Sequence, residues 1–352
     1  MKPARDSWIN PALALCACAL SGLLFTWLRL PLPWMIGPLL AMAACNFAGA
    51  ELRAPRGGRE LGQVVIGTAL GLYFTPVVTH QVASYWHVLL AASVFAILLG
   101  AFSGSILRRV AGVDRTTAFF ASVPGGAAEM TILGERYGAR ADRVVLAQSL
   151  RVLAVVLAVP FVLTYSGVHG TDLYQPAPLP LDAPKLVLLL GIAAAAAFAL
   201  NATGMPNSFV FGPLVVVIGL TASEIYFSSL PTLLSNAAQM LLGCALGSRF
   251  ERRALRSAPR YVIAVLVSVA AAMAVAAGFA AALAWVSALP VASLILATAP
   301  GGMAEMCITA KVLQLGVPLV TAAHVTRVAV LITTTGPTYR AVLAVRERFR
   351  RS

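Results

Sequence analysis

The sequence predicts an all-α polytopic membrane protein made of two inverted repeats. Each repeat is expected to hold about five transmembrane helices and one re-entrant or broken Pro-Gly-Gly helix. Three observations lead to this class: an apolar composition, long apolar segments and a duplicated motif. Of 352 residues, 59% are apolar or aromatic and only 11% are charged, and the mean hydropathy is +0.85. Such a chain lacks the polar surface of a soluble enzyme or a disordered protein.

The charge balance fits a membrane protein. The chain has 26 Lys and Arg against 13 Asp and Glu, a net charge of +13. Basic residues collect in cytoplasmic loops of membrane proteins, and no basic stripe lies on a soluble module, so we expect no direct nucleic-acid partner. The five cysteines lie in apolar stretches and are odd in number, which favours reduced thiols. We expect no metal site and no cofactor.

Twelve apolar segments follow one another along the chain. A helix that crosses the bilayer needs about 20 apolar residues. The segments lie near residues 11–28, 34–49, 61–79, 86–107, 116–134, 144–165, 186–204, 208–222, 231–248, 261–287, 290–310 and 318–340.

Several landmarks recur at a nearly constant offset, which indicates an internal duplication. The block Pro124–Met130 returns 176 positions later as Pro300–Met306. The same offset relates Arg151 to Arg327, and the series Gln63, Gly67, Gly71 to Gln239, Gly243, Gly247; an offset of one residue less relates Gly37-Pro38 to Gly212-Pro213. We therefore predict a first membrane repeat over 1–165, a Pro-rich linker over 166–185, a second repeat over 186–345 and a basic cytoplasmic tail over 346–352.

The distribution of basic residues predicts that the second repeat is inverted. If segments 116–134 and 290–310 enter and return on the same side, each repeat has an odd number of crossings. Nearly all arginine clusters then face the cytoplasm, and only Arg29, Lys185 and Lys311 lie outside. This arrangement obeys the positive-inside rule. It predicts a bacterial inner (plasma) membrane protein with both termini in the cytoplasm.

The Pro-Gly-Gly blocks are the strongest candidates for a binding site. Proline removes a backbone donor and the glycines relax the φ restriction, so each block should end one helical piece and start another. The new helix begins with free N–H groups and a partial positive charge, which favours an anion. A kink that only fits neighbouring helices is the alternative. The predicted substrate-binding residues are Pro124, Gly125, Gly126, Pro300, Gly301, Gly302, Arg151 and Arg327.

Charged residues beside these blocks allow two interpretations each. Glu129 and Glu305 follow the glycines and could couple transport to H⁺ or Na⁺, or could cap the helices. Arg151 and Arg327 could fork onto an anionic substrate, or could snorkel or pair with the two glutamates.

Four further polar residues are candidate lining residues. For the glutamine-glycine series, close helix packing is the favoured interpretation. A histidine in an apolar segment is more often a buried residue whose hydrogen bonds are made within the protein than a ligand-binding residue. The residues are Gln63, Gln239, Gln148 and His324.

The duplicated P-G-G-x-A-E-M blocks, with Leu30–Leu39 reading LPLPWMIGPL, resemble the AbrB-type duplicated membrane-protein family of bacteria. The likeness covers essentially the whole chain. It implies a regulator of gene expression by one family label and a putative ammonia monooxygenase by another. Four dispersed histidines do not support the monooxygenase label, so we expect no enzyme. The layout is also similar to that of the glutamate and citrate symporters, by architectural analogy only.

The sequence thus predicts a secondary transporter of a small organic anion that works by alternating access, with H⁺ or Na⁺ coupling left open. A membrane-embedded ligand sensor that regulates gene expression indirectly is the alternative, and a passive channel is a third interpretation. The expected partners are the lipid bilayer and a small anionic ligand, with a homodimer left open.

Overall fold

A computed structural model describes residues 6–167, 179–250, 258–331 and 333–334. All regular elements in these ranges are helices. They are α1 Asp6–Trp27, α2 Pro33–Ala48, α3 Gly58–Gly71, α4 Pro76–Ser84, α5 Trp86–Ala111, α6 Arg115–Ser122, α7 Ala127–Arg136, α8 Ala141–Tyr165, α9 Ala183–Ala202, α10 Ser208–Ala222, α11 Thr232–Gly247, α12 Pro259–Ser287, α13 Val291–Thr298, α14 Met303–Leu313 and α15 Val317–Leu331.

The helices confirm a polytopic membrane protein. Five of those described, α1, α5, α8, α9 and α12, are long and apolar enough to cross a bilayer. The predicted segment 61–79 is not one helix, because α3 and α4 meet at an angle of 89°. Pro76 begins α4, and Thr75 caps it by accepting from the N–H of Val78, so a new helix starts where the apolar run suggested continuity. Most of the linker and the whole basic tail lie outside the described residues.

Each Pro-Gly-Gly block joins two short helices that fold back as a hairpin. In the first, α6 leads to the block and α7 returns: the N–H of Arg140 donates to Oγ1 of Thr117 at 2.9 Å, and the Phe120 and Tyr137 rings stack with centroids 5.8 Å apart. In the second, formed by α13 and α14, Gly316 lies beside Ser293. The start of each hairpin therefore lies next to its end.

The helices pack as two bundles. The first, here the scaffold bundle, contains α1, α2 and α3 with α9, α10 and α11. The second, the hairpin bundle, contains α5 to α8 with α12 to α15. Corresponding parts of the two halves of the sequence therefore associate with each other. α4 contacts α10 and α5 and so connects the bundles.

Glycines of the two Gln-Gly-Gly helices allow close and reciprocal packing inside the scaffold bundle. A methyl group at Gly67 or Gly71 of α3 would meet the backbone or side chains of α10, and one at Gly243 or Gly247 of α11 would meet those of α2. The carbonyl oxygens approached are those of Val210 and Leu214, and of Met35 and Leu39. These contacts fit the packing interpretation of the series.

The helices α3 and α11, which occupy equivalent positions in the two halves, run antiparallel. At one end of the pair, Gln63 of α3 lies with Leu246 of α11 beside one cavity, and at the other end Leu72, just after α3, lies with Thr232 of α11 beside a second cavity. As the residue number rises on α3, it falls on α11. The two ends of this helix pair therefore point to opposite ends of the protein, each occupied by a cavity.

Candidate functional site

The two Pro-Gly-Gly blocks meet at one cavity between the bundles, here called the hairpin cavity. Its volume is about 120 Å³. The scaffold bundle contributes the start of α3, the end of α11 and the entry to α10, while the hairpin bundle contributes both breaks and the middle of α8 and α15. The polar and break residues that line it are Arg59, Gln63, Pro124, Gly125, Gly126, Glu129, Arg151, Asn207, Arg249, Gly301, Gly302, Glu305 and Arg327.

Arg151 and Arg327 hold the two breaks in the same way. Arg151 on α8 donates to the carbonyl oxygens of Val123 (3.0 Å) and Gly125 (3.2 Å). Arg327 on α15 donates to those of Ala299 (2.8 Å) and Gly301 (2.9 Å). The carbonyls at the end of a helix lack partners within that helix, so each guanidinium caps the end of α6 or α13 and fixes the turn that follows.

The surroundings of Arg151 and Arg327 distinguish between the three interpretations of these residues: substrate binding, snorkelling and ion pairing with the glutamates. Both residues are buried, only 5% and 4% exposed, so neither snorkels to the interface. Neither forms an ion pair with Glu129 or Glu305, and the ion pairs found within the described ranges involve other residues. The Nε atom of each guanidinium has no hydrogen-bond partner. Two unneutralised guanidinium groups thus line one cavity, an arrangement suited to an anion.

The glycines of each block are explained by space rather than by φ. The backbone φ is −68° at Gly126 and −74° at Gly302, values open to any residue, so the expected φ relaxation is not the reason for these glycines. A methyl group at either position would collide with the carboxylate of Glu129 or Glu305, which folds back over the glycine. Each carboxylate therefore lies at the positive end of its helix.

We expect Gly302→Ala to impair function more than stability. The methyl group would displace the Glu305 carboxylate, a flexible side-chain end, so the free energy of unfolding should change by less than about 1 kcal/mol. Ligand binding and any coupled activity should fall at least tenfold, roughly the effect of 1.4 kcal/mol. Thermal unfolding and ligand titration of the purified variant would measure both. Gly191→Ala is the matched control, since nothing lies within 4 Å of a methyl group there; equal loss in both variants would contradict this role.

Two arginines that the sequence analysis counted only as cytoplasmic charges form the mouth of the hairpin cavity. Arg59 lies in the first turn of α3 and Arg249 follows α11, and both residues are exposed. Arg249 lines the cavity together with Glu129 and Glu305. Asn207, in the left-handed conformation before α10 (φ 53°), also lines the cavity. The position of Asn207 near the Gly-Pro pair of α10 was the one feature of the sequence that could have identified a lining residue here. Nothing in the sequence close to Arg59 or Arg249 distinguishes either residue from the other arginines at the ends of helices and in loops.

The four candidate lining residues divide between three places. Gln63 lines the hairpin cavity, whereas Gln239 lines a different cavity at the far end of α11. Gln148 donates to the carbonyl oxygens of Phe120 and Val123 at 2.8 and 2.9 Å. His324 hydrogen-bonds the carbonyl of Leu296 at 3.0 Å. The last two thus support the hairpins from behind instead of lining the cavity.

The fold and cavity define a class: polytopic helical membrane proteins in which two broken-helix hairpins meet at an internal, arginine-lined cavity. Residues 34–343 match the family model AbrB, described as "Transition state regulatory protein AbrB", and the chain belongs to this family.

Two curated relatives extend over most of the chain. The "Uncharacterized protein YhjN" of Bacillus subtilis (strain 168) is 26% identical over 362 residues, which cover 96% of this chain and 92% of that protein. The "Putative regulator AbrB" of Escherichia coli (strain K12) is 27% identical over 302 residues, 83% of this chain and 86% of that protein. The first of these alignments therefore extends over the positions of both Pro-Gly-Gly blocks.

Proposed function

We propose that this protein is a secondary carrier for a small organic anion, bound in the hairpin cavity. One observation carries the proposal: both breaks, both buried arginines and both glutamates face a single cavity between two bundles. The described residues that line the cavity include four arginines and two glutamates, so positive charges exceed negative charges by two. Helix N-termini add to this potential. An anionic ligand would offset this excess of positive charge.

The path of the anion would begin at the exposed arginines. Arg59 and Arg249 form a positive mouth that raises the local concentration of anions. Deeper in the cavity, Arg151 and Arg327 would bind the anion with donors that remain after each guanidinium has bonded two carbonyls. The starts of α7 and α14 would supply backbone N–H groups from two directions.

Alternating access would come from movement of the hairpin bundle against the scaffold bundle. The proposal includes two inverted repeats, for which the antiparallel course of α3 and α11 is support. It also includes the bacterial inner membrane with both termini in the cytoplasm. The Tyr261 hydroxyl donates to the carbonyl of Arg143 at 2.9 Å, which brings the basic cluster after α7 beside the start of α12. This contact supports the proposal that the basic residues after α7 and those at the start of α12 lie at the same, cytoplasmic end of the protein.

Uptake into sealed vesicles tests the carrier. Purified protein should accumulate at least one labelled organic anion from a panel under an inward H⁺ or Na⁺ gradient. Glu129→Gln and Glu305→Gln should abolish accumulation against a gradient while exchange down a gradient continues, because a neutral amide can still cap the helix but cannot bind the coupling ion. Glu135→Gln, an exposed position on α7, is the matched control. If both cavity variants accumulate the anion as well as the original protein does, the coupling role fails.

A membrane-embedded sensor is the second candidate, favoured by the word "regulator" in the name of the Escherichia coli relative. The same cavity would bind its anion without moving it, and any effect on gene expression would be indirect. Saturable binding of an anion without uptake or exchange would favour the sensor. Neither function is an enzymatic reaction.

A further inference from the structure

A second and larger cavity lies between the bundles at the opposite end of α3 and α11. It is here called the Lys311 cavity, and its volume is about 700 Å³. The end of α3, the start of α11 and the end of α14 surround it. The polar residues that line it are Tyr73, Thr221, Tyr226, Ser228, Ser229, Thr232, Ser235, Asn236, Gln239, Lys311 and Gln314.

The two cavities occupy equivalent places in the duplicated chain. Gln63 lines the hairpin cavity and Gln239, its counterpart at an offset of 176, lines the Lys311 cavity. Because α3 and α11 run antiparallel, these equivalent glutamines face opposite ends of the protein. A separate cavity therefore lies at each end of the seam between the bundles, with a polar group of the same kind in each.

Lys311 gives this cavity its charge. Its ammonium donates to Oγ of Ser235 at 3.3 Å, and no Asp or Glu occurs among the described lining residues. The side chain comes from the last turn of α14, where a lysine stabilises the helix dipole. Its hydrogen bond, however, crosses from the hairpin bundle to the scaffold bundle. An ammonium has three donors, so further acceptors can bind it.

The lysine stands apart from the repeat and from the charge pattern. Its counterpart at an offset of 176 is Glu135, an exposed residue that lines neither cavity. It is also one of three basic residues that the positive-inside rule places outside. Lys185, a second of the three, pairs with Asp182, whose N–H donates to Ser228 of this cavity. A cation kept at this end against the general bias needs a local role.

We propose that the Lys311 cavity is a second binding site for a small carboxylate anion, open to the side of the membrane opposite the mouth of the hairpin cavity. Lys311 supplies the charge, and Ser235, Asn236 and Gln239 supply neutral donors. That this site is the outer end of a transport path rests on the proposed function, whereas binding of an anion here does not. The ammonium also bridges the bundles through its bond to Ser235, and its remaining donors are available to the anion.

Protection of a reporter cysteine tests the proposal. In a background without the native cysteines, Ser229→Cys is labelled by an impermeant maleimide added outside phosphatidylcholine vesicles. The probes are acetate, succinate, citrate and benzoate as sodium salts, with sodium chloride as the ionic-strength control. At least one carboxylate should slow the labelling. Lys311→Gln should raise the half-protecting concentration about tenfold or more, while Lys311→Arg should keep it near the original. No protection, or equal protection in Lys311→Gln, would overturn the proposal.

A second reporter separates this site from the proposed function. Asn207→Cys reports on the hairpin cavity and is labelled from the other side. Protection of Asn207→Cys alone would leave the proposed function standing and sink the second site; protection of Ser229→Cys alone would do the reverse. If phosphatidylglycerol in the vesicles protects Ser229→Cys without added carboxylate, the site binds lipid headgroups and the proposal is wrong. Unchanged protection of Asn207→Cys in Lys311→Gln would show that this variant is folded.

Discussion

Gly243→Ala should destabilise the protein by about 1–3 kcal/mol in the free energy of unfolding, the usual effect of overpacking. The added methyl group would collide with the backbone carbonyl of Met35 on α2. A backbone atom cannot swing aside as a side chain can, so α11 and α2 would have to separate. Alanine also improves helix propensity by about 1 kcal/mol over glycine, and the steric effect must exceed this gain. Denaturant unfolding in detergent would measure the difference.

The matched control for this variant is Gly278→Ala on α12. Nothing lies within 4 Å of a methyl group there, so only the gain in helix propensity applies and stability should rise by up to about 1 kcal/mol. Gly67→Ala on α3 should behave like Gly243→Ala, because its methyl group would approach the Val210 carbonyl of α10. Equal stability of the Gly243 and Gly278 variants would show that α11 and α2 are not held at close distance.

Much of this architecture could be predicted because the duplicated features can each be recognised from a short stretch of sequence. Ten of the twelve apolar segments match a single helix or a helical hairpin of the structure, apart from small shifts at their ends, and segment 318–340 matches α15 over the part of it that the structure describes as helix. Proline and paired glycines in an apolar run interrupt a helix wherever they occur. A repeated glycine spacing of four indicates one flat helix face. These signals need no knowledge of neighbouring helices.

What the sequence could not predict depends on contacts between distant segments. Arg151 and Arg327 bond backbone carbonyls, which have no side-chain identity to read from the sequence. Arg59 and Arg249 reach the cavity because α3 and α11 are antiparallel, and their own surroundings resemble other basic loops. The bend after α3 was missed because α4 is also apolar, so hydropathy continues through the break.

The two buried arginines are poorly explained by stability alone. Transfer of a guanidinium from water into the protein costs several kcal/mol, and each hydrogen bond to a carbonyl returns only about 1.5–3 kcal/mol. No carboxylate among the described residues pairs with either group, and both groups have like charge and line the same cavity. Under the proposed function, an anion that enters the cavity would offset the cost of these two buried charges.

Arg327→Gln should therefore weaken anion binding far more than it changes the unliganded protein. Loss of one buried charge partner removes about 2–5 kcal/mol of affinity, which corresponds to roughly 30-fold to more than 1,000-fold in the dissociation constant. Unfolding without ligand should change by less than about 2 kcal/mol, since two lost hydrogen bonds are offset by relief of charge burial. Titration of the anion found by the uptake panel, followed by calorimetry or thermal shift, would measure the first effect.

Two further variants make the role of the guanidinium specific. Arg327→Lys keeps the charge but cannot bond the carbonyls of Ala299 and Gly301 as a fork, so its affinity should lie between those of the original protein and Arg327→Gln. Arg108→Gln, exposed in the last turn of α5, removes a charge that does not line the cavity, so this variant should bind the anion normally. If Arg327→Gln binds the anion as tightly as the original protein, the guanidinium serves only to hold the helix break, and the two arginines do not belong to an anion site.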